Sequence, residues 1–268
     1  MRRLSLKSDI YNLNPEEYAE LRRLENLGAP FVINYSADGP ARLTVWLPQD
    51  WKATKAMETP KVMPIRDRYY EYGFVVKNLL KYYPPPASIL DVGAADSPLL
   101  FVLASLGYNV TAVDQRKCIV NWENLHFVSW DVLKDKSPFD QAFDIVTCIS
   151  TVEHFGLGRY GDTVEVDGDL RGISILWQEL VPKGFMFLSV PYGNPEVFFP
   201  AHRIYNRARY RRLITGFSSL ETTFFGPIDD PAVFRPCTER ETCLNDISGP
   251  HYAIVCSVLQ KRSRNEDK

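Results

Sequence analysis

From residue 66 onward the chain switches back and forth between a helical and an extended hydrophobic pattern. Over residues 66–83 the apolar positions Tyr70, Phe74, Val75, Leu79 and Tyr82 recur at helical spacing, and three prolines at 84–86 stop that helix. "SILDVG" then reads as a buried strand, "SPLLFVLASLG" as a helix and "NVTAVDQ" as a second strand, with "HFVSWDV" and "FDIVTCIS" as two more. "DLRGISILWQELVPKG" sets Leu170, Ile173, Leu176, Trp177 and Leu180 on one helical face and leads into the strand "FMFLSVP". Two further strands are expected at "SLETTFF" and "YAIVCSVLQ", separated by a Pro-, Asp- and Thr-rich stretch (226–250) that reads as an inserted loop. Strands alternating with helices predict an α/β fold, a largely parallel sheet covered by helices on both faces.

Upstream, "PEEYAELRRLENL" predicts a short helix ended by Gly28, and "FVINYSADGPARLTVWLP" two strands around the turn at Asp38-Gly39-Pro40. The expected organisation is an N-terminal helix/hairpin cap over 1–65, one main domain over 66–261 and a solvated tail over 262–268. No internal repeat is present.

Composition narrows the class. Of 268 residues 45% are hydrophobic and 24% charged, which excludes a disordered or fibrous chain. A net charge of −2 supplies no overall attraction to nucleic acid or an anionic membrane, so neither is an expected partner. The five cysteines are an odd number and widely spaced, as for reduced thiols. With no apolar run of ~18 residues and no secretory leader in "MRRLSLKSDIYNLNPEEY", a soluble cytoplasmic protein is expected. Cys237, Cys243 and His251 lack a fourth ligand, so no metal is expected there.

Chemistry gathers where the strands end. The first ends in Asp91-Val92-Gly93-Ala94-Ala95-Asp96, before Ser97-Pro98 opens a helix; Gly93 allows a tight turn beside a ligand, and Ser97 suits a cap. Such a turn also begins any doubly wound fold. Asp114 ends the next strand, 23 positions after Asp91, where an acidic residue can bond ribose hydroxyls. Asp131 can accept from an adenine amino group with the Trp130 indole flanking the base, although a tryptophan there is as readily core. The fourth strand runs into "CISTVEHFGLGRYGD", a loop that an open α/β sheet delivers to the crevice at its carboxyl ends.

In order, "ILDVGAADSP", "VDQ", "SWDV", "FDIVTCISTVEHF" and "QELVPKGFMFLSVP" resemble the motifs of the class I S-adenosylmethionine-dependent methyltransferases. The resemblance covers roughly 66–261. It implies a Rossmann-like seven-stranded sheet with an antiparallel last strand, and S-adenosyl-L-methionine as cofactor. It sets Asp91, Gly93 and Ala94 beside the methionine part, with Asp96 and Ser150 in the same motifs. Asp114 and Gln115 border the ribose, and Trp130, Asp131 and Val132 the adenine. The usual G-x-G turn is Gly93-Ala94-Ala95 here, and the three-glycine fingerprint of nicotinamide dehydrogenases is absent. Glu-His after the fourth strand is frequent in small-molecule O-methyltransferases such as those of the ubiquinone pathway. Some of these bind a divalent metal through it with a further glutamate three positions earlier, where this chain has Ser150, so no metal is expected. "EHFGLGRYGD" with the later "AHRIY" also resembles methyltransferase-like domains associated with bacterial glycan synthesis, which implies a sugar or glycan acceptor.

O-methylation needs a base for the acceptor hydroxyl. His154 is the first candidate, at an ordinary pKa near 6.5, His202 the second, and Glu153 an orienter. Arg159, Tyr160 and Asp162, punctuated by glycines, are expected either to close over the acceptor or to order the loop through an Arg159–Asp162 ion pair. "HRIYNRARYRRL" carries five arginines; Arg203 is assigned to the acceptor, which can then bear phosphate, against the alternative of a solvated helix face. Methylation of RNA or protein and a non-catalytic binding module are the alternatives, and no Asn-Pro-Pro-Tyr tetrad supports base methylation.

Overall fold

The computed structural model describes residues 2–5, 31–36, 39–45, 66–95, 97–140, 142–227, 234–243 and 252–263. The expected helix at 15–27 lies outside them.

The main sheet has eight strands: β4 (Ser88–Val92), β5 (Asn109–Asp114), β7 (Leu125–Ser129), β8 (Phe143–Ile149), β9 (Leu180–Tyr192), β12 (Phe217–Pro227), β13 (Phe234–Cys237) and β14 (Ala253–Lys261), in the order β13-β12-β14-β9-β8-β4-β5-β7. β7, β5, β4, β8 and β9 run parallel, whereas β14 lies antiparallel to both β9 and β12. The antiparallel last strand and the seven expected strands are all present. The eighth, β13, comes from the stretch read as loop and pairs Phe234–Cys237 with Phe224–Pro227 on the edge of the sheet.

Each strand divides its side chains between two cores, as its two-residue period requires. Ile89, Val110, Ile145 and Ile254 pack on one face with Phe74, Val75 and Leu79 of helix α1 (Arg66–Tyr82) and Leu99, Leu100 and Leu103 of α2 (Leu99–Ser105). Leu90, Val113, Val146 and Val255 pack on the other with Ile173 and Leu176 of α3 (Gly168–Gln178) and Tyr210 and Leu213 of α4 (Arg207–Leu213). α3 stops earlier than its sequence suggests: Leu180 already pairs with Phe143 in the sheet.

A second sheet joins β1 (Arg2–Ser5), β3 (Gly39–Val45), β2 (Phe31–Ser36) and β6 (Cys118–Asn121), so the expected N-terminal hairpin adds to a strand the hydrophobic pattern did not reveal. β10 (Glu196–Phe198) and β11 (His202–Ile204) form a small hairpin after β9. Cys148 and Cys256 are buried free thiols. Among the described residues no helix is long and apolar enough to cross a membrane.

Candidate active site

At the end of β4 the chain turns at Gly93 (φ +80°), whose N–H donates to Val113 O at 2.9 Å. A Cβ there would stand 2.3 Å from Thr151 Oγ1, so glycine is required by both conformation and space. Ala95 is buried and outside the positive-φ range, so alanine fits where the second glycine is usual. The Ser97 hydroxyl accepts the Leu99 N–H at 3.2 Å from one position before the N-cap, which is Pro98 and not the expected Ser97, while Asp96 lies outside the described residues. Asp91 is buried; its Oδ1 accepts from Thr147 Oγ1 at 2.5 Å, and its Oδ2 has no partner. Burial pushes its carboxyl up to about 7, against the Thr147 bond and with some help from Asp114. A buried acceptor atom without a partner beside a turn closed to any side chain suits a cationic ligand group.

Asp114 sits at the end of β5, as expected, and Oδ2 accepts the Ala95 N–H at 3.2 Å. Its carboxylate also pairs with Arg116. Gln115 reaches across to Tyr160 O at 3.0 Å. Asp131 Oδ1 accepts the N–H groups of Leu133 and Lys134, which shapes the turn after β7. Trp130 and Val132 are buried in the second core; the indole stands edge-on to Phe139 at 5.5 Å, and its Nε1 has no partner.

At the end of β8, Ser150 adopts a left-handed conformation (φ 43°). Its hydroxyl donates to Glu71 Oε1, which also accepts from Ser189 Oγ at 2.7 Å, while Glu71 Oε2 pairs with Arg68 at 2.8 Å. Ser150 is thus bonded to the fold from beneath. Glu71, fully buried on α1, and Arg68 were missed by counting apolar positions alone. The available signal was Glu71 three and four residues before Phe74 and Val75, on the same helical stripe.

The chain then makes a single 3-10 turn, Val152–His154. Glu153 is 2% exposed with Oε2 unpartnered, and burial raises its carboxyl to about 8 although Arg68 pulls the other way. His154 Nδ1 lies 2.5 Å from Ala201 O. A carbonyl can only accept, so Nδ1 carries the proton and Nε2 the lone pair, 3.7 Å from Glu153 Oε1. Burial lowers His154 to about 4, which corrects the expected ordinary value. Burial disfavours both charges, so the Glu153–His154 contact at pH 7 joins two neutral groups and is not an ion pair. His202 stands edge-on to His154 with ring centroids 6.4 Å apart, between Phe198 and Tyr252, and its buried Nε2 has no partner. Burial lowers its pKa also.

The loop after His154 is held by its own backbone. Gly156 (φ +71°) lies so close to the 165–168 segment that a Cβ would meet Glu165 O at 2.5 Å. Asp162 accepts the N–H groups of Gly158 and Tyr160, so it shapes the turn, and the expected ion pair with Arg159 is replaced by these bonds. Arg159 lies over the Tyr160 ring and donates to Ala201 O at 3.4 Å. Tyr160 stands edge-on to His154 at 5.9 Å, so Arg159 and Tyr160 do come together beside His154.

Arg203 does not. It is 2% exposed and donates to the carbonyls of Glu153, Phe155, Glu165 and Val166, with Asp169 at 3.8 Å. The assignment to the acceptor is therefore corrected: Arg203 ties the loop to the start of α3. Arg209 is held by Asp169 and Asp167, Arg212 faces Asp167, and Arg207 faces Glu239, so most of the run answers acidic neighbours instead of forming a phosphate cluster. Among the described residues no His/Cys/Asp/Glu group is placed to hold a metal ion.

This strand order is that of a class I methyltransferase fold. An N-methyltransferase, NodS, from Bradyrhizobium japonicum WM9 in complex with S-adenosyl-l-homocysteine is similar with a TM-score of 0.50 at 9% identity, over 76% of this chain and 94% of that one. The Burkholderia thailandensis 1,6-didemethyltoxoflavin-N1-methyltransferase, with 1,6-didemethyltoxoflavin and S-adenosylhomocysteine bound, is similar with a TM-score of 0.51 at 14% identity, over 97% and 96%. In sequence, the Ubiquinone biosynthesis O-methyltransferase of Xanthomonas campestris pv. campestris (strain B100) is 29% identical over 191 residues, 68% of this chain and 73% of that protein. The chain belongs to the family described as "Caenorhabditis protein of unknown function, DUF268", whose model matches residues 109–249.

Proposed function

We propose that the chain is an S-adenosylmethionine-dependent methyltransferase that methylates a hydroxyl oxygen of a sugar, glycan or other small polar metabolite. The observation that carries the reading is His154, fixed through Nδ1 by Ala201 O so that its Nε2 lone pair lies beside Glu153 in the crevice. The Xanthomonas relative, named as an O-methyltransferase, supports oxygen as the target.

When bound, the cofactor supplies an electrophilic methyl group on a sulfonium. Asp91, Gly93 and Ala94 border its methionine end, where the partnerless Asp91 Oδ2 accepts from an ammonium and a cation there favours the charged carboxylate. Asp114 takes the ribose, and Asp131 and Val132 border the base. His154 Nε2 receives the proton of the acceptor hydroxyl, and Glu153, largely protonated at pH 7, donates a hydrogen bond to the acceptor. His202, Tyr160 and Arg159 line the acceptor end. Orienting the reactants is worth roughly 7–11 kcal/mol and proton acceptance typically 10² to 10⁴-fold. At a pKa of about 4 His154 is a weak base that is always unprotonated at working pH, so alignment carries the larger share.

Residues 1–65 serve as an accessory cap on the domain spanning 66–261, and the buried free thiols fit a cytoplasmic setting. The test is methyl transfer from labelled S-adenosylmethionine to a panel of sugars and polyols. His154→Ala is expected to lose 10² to 10⁴-fold in turnover with S-adenosylhomocysteine affinity unchanged; unaltered turnover removes His154 from this role.

A further inference from the structure

The Asp114 carboxylate is already fully used. Oδ1 accepts the Arg116 backbone N–H at 2.9 Å and Nε–H at 3.0 Å, and Oδ2 accepts Arg116 Nη2 at 3.0 Å and the Ala95 N–H at 3.2 Å. A carboxylate offers about four acceptor positions, so a ribose diol with two hydroxyls to donate must displace two of these bonds. The two backbone amides belong to the turns that end β4 and β5 and cannot leave without rebuilding them. The two guanidinium bonds can be given up by rotation of one side chain whose relative exposure is 19%.

That guanidinium has a second role. It lies 5.2 Å from the centre of the Tyr160 ring, and the Tyr160 carbonyl is held by Gln115. The same ring faces Arg159 at 5.3 Å and stands edge-on to His154, and Arg159 and His154 both bond to Ala201 O. A chain of contacts therefore runs from Asp114 through Arg116 and Tyr160 to His154.

We propose that Arg116 is an internal competitor for the nucleoside site: the donor's ribose diol replaces its guanidinium on Asp114, and the displaced arginine releases Tyr160 at the acceptor end. The proposal rests on the donor reading given above and adds an order, in which the donor binds first and makes the acceptor end accessible. Removing the competitor tightens donor binding, whereas an Arg116 that contacts the donor would weaken it on removal.

The experiment is calorimetric titration of S-adenosylhomocysteine into the wild-type protein and Arg116→Ala, with amide exchange followed over residues 157–162. The variant is expected to bind about 5- to 10-fold more tightly, up to about 1.4 kcal/mol. In the wild type, exchange across the loop rises on adding S-adenosylhomocysteine, and in the variant it is already high without it. Should Arg116→Ala fail to fold, Arg116→Lys, which keeps the charge but not the two-pronged pairing, is expected to tighten binding several-fold. Equal or weaker binding by a folded variant, with the wild type still binding, overturns the competitor while leaving the donor reading intact. A loop whose exchange is unchanged or slowed by S-adenosylhomocysteine overturns the link to Tyr160. Absence of binding by both folded proteins removes the donor reading and the proposal with it.

Discussion

Replacing Glu153 by glutamine tests the electrostatics of the acceptor end without knowledge of the acceptor. Burial raises the Glu153 carboxyl to about 8, so the folded protein keeps a proton that the unfolded chain has lost. Stability must then fall as pH rises from the ordinary carboxylate range through about 8. Asp91, raised to about 7, acts in the same direction but is nearly complete by pH 7.5. His154, lowered to about 4, acts oppositely, and its effect is confined below its ordinary value near 6.5. Between pH 7 and 8 Glu153 therefore accounts for most of the fall, a loss of about 1 kcal/mol, with a smaller part from Asp91. Urea denaturation at pH 7.0 and 8.0, followed by far-UV circular dichroism, is expected to show the full fall for the wild type and only the smaller part for Glu153→Gln. An equal fall in both proteins would refute the assignment of a buried, protonated Glu153.

Gly93→Ala sets a Cβ against Thr151 and holds a non-glycine residue at φ +80°, which together cost about 3 kcal/mol; thermal denaturation should show that loss, and S-adenosylhomocysteine should no longer raise the melting temperature. Arg203→Met leaves four carbonyls without their guanidinium donor, Asp169 keeping Arg209, and should cost roughly 3–5 kcal/mol in chemical denaturation, whereas a change of less than about 1 kcal/mol would return Arg203 to the acceptor.

The part of the candidate site around Gly93 and Asp114 was legible because it depends on local rules: strands end where their hydrophobic period ends, with Gly93 directly after β4 and Asp114 the last residue of β5. The part around His154 depends on partners far apart in sequence. Glu71 meets Ser150 and Ser189 across 79 and 118 positions, and a count of apolar residues passes over a buried carboxylate. Arg203 was misassigned because its partners are backbone carbonyls, which leave no mark in side-chain composition. Burial, which moved His154 from its ordinary value to about 4, is a property of the packed site and cannot be read from the residue's identity. β13 escaped for a simpler reason, being a four-residue edge strand in a stretch rich in turn formers.

The most direct test of the central claim is calorimetric titration of the folded protein with S-adenosylmethionine and S-adenosylhomocysteine, with NAD as control and Asp114→Ala in parallel. Binding in the micromolar range by the first two, absent for NAD and weakened in Asp114→Ala, is the expected result. Failure of either sulfur nucleoside to bind would contradict the account.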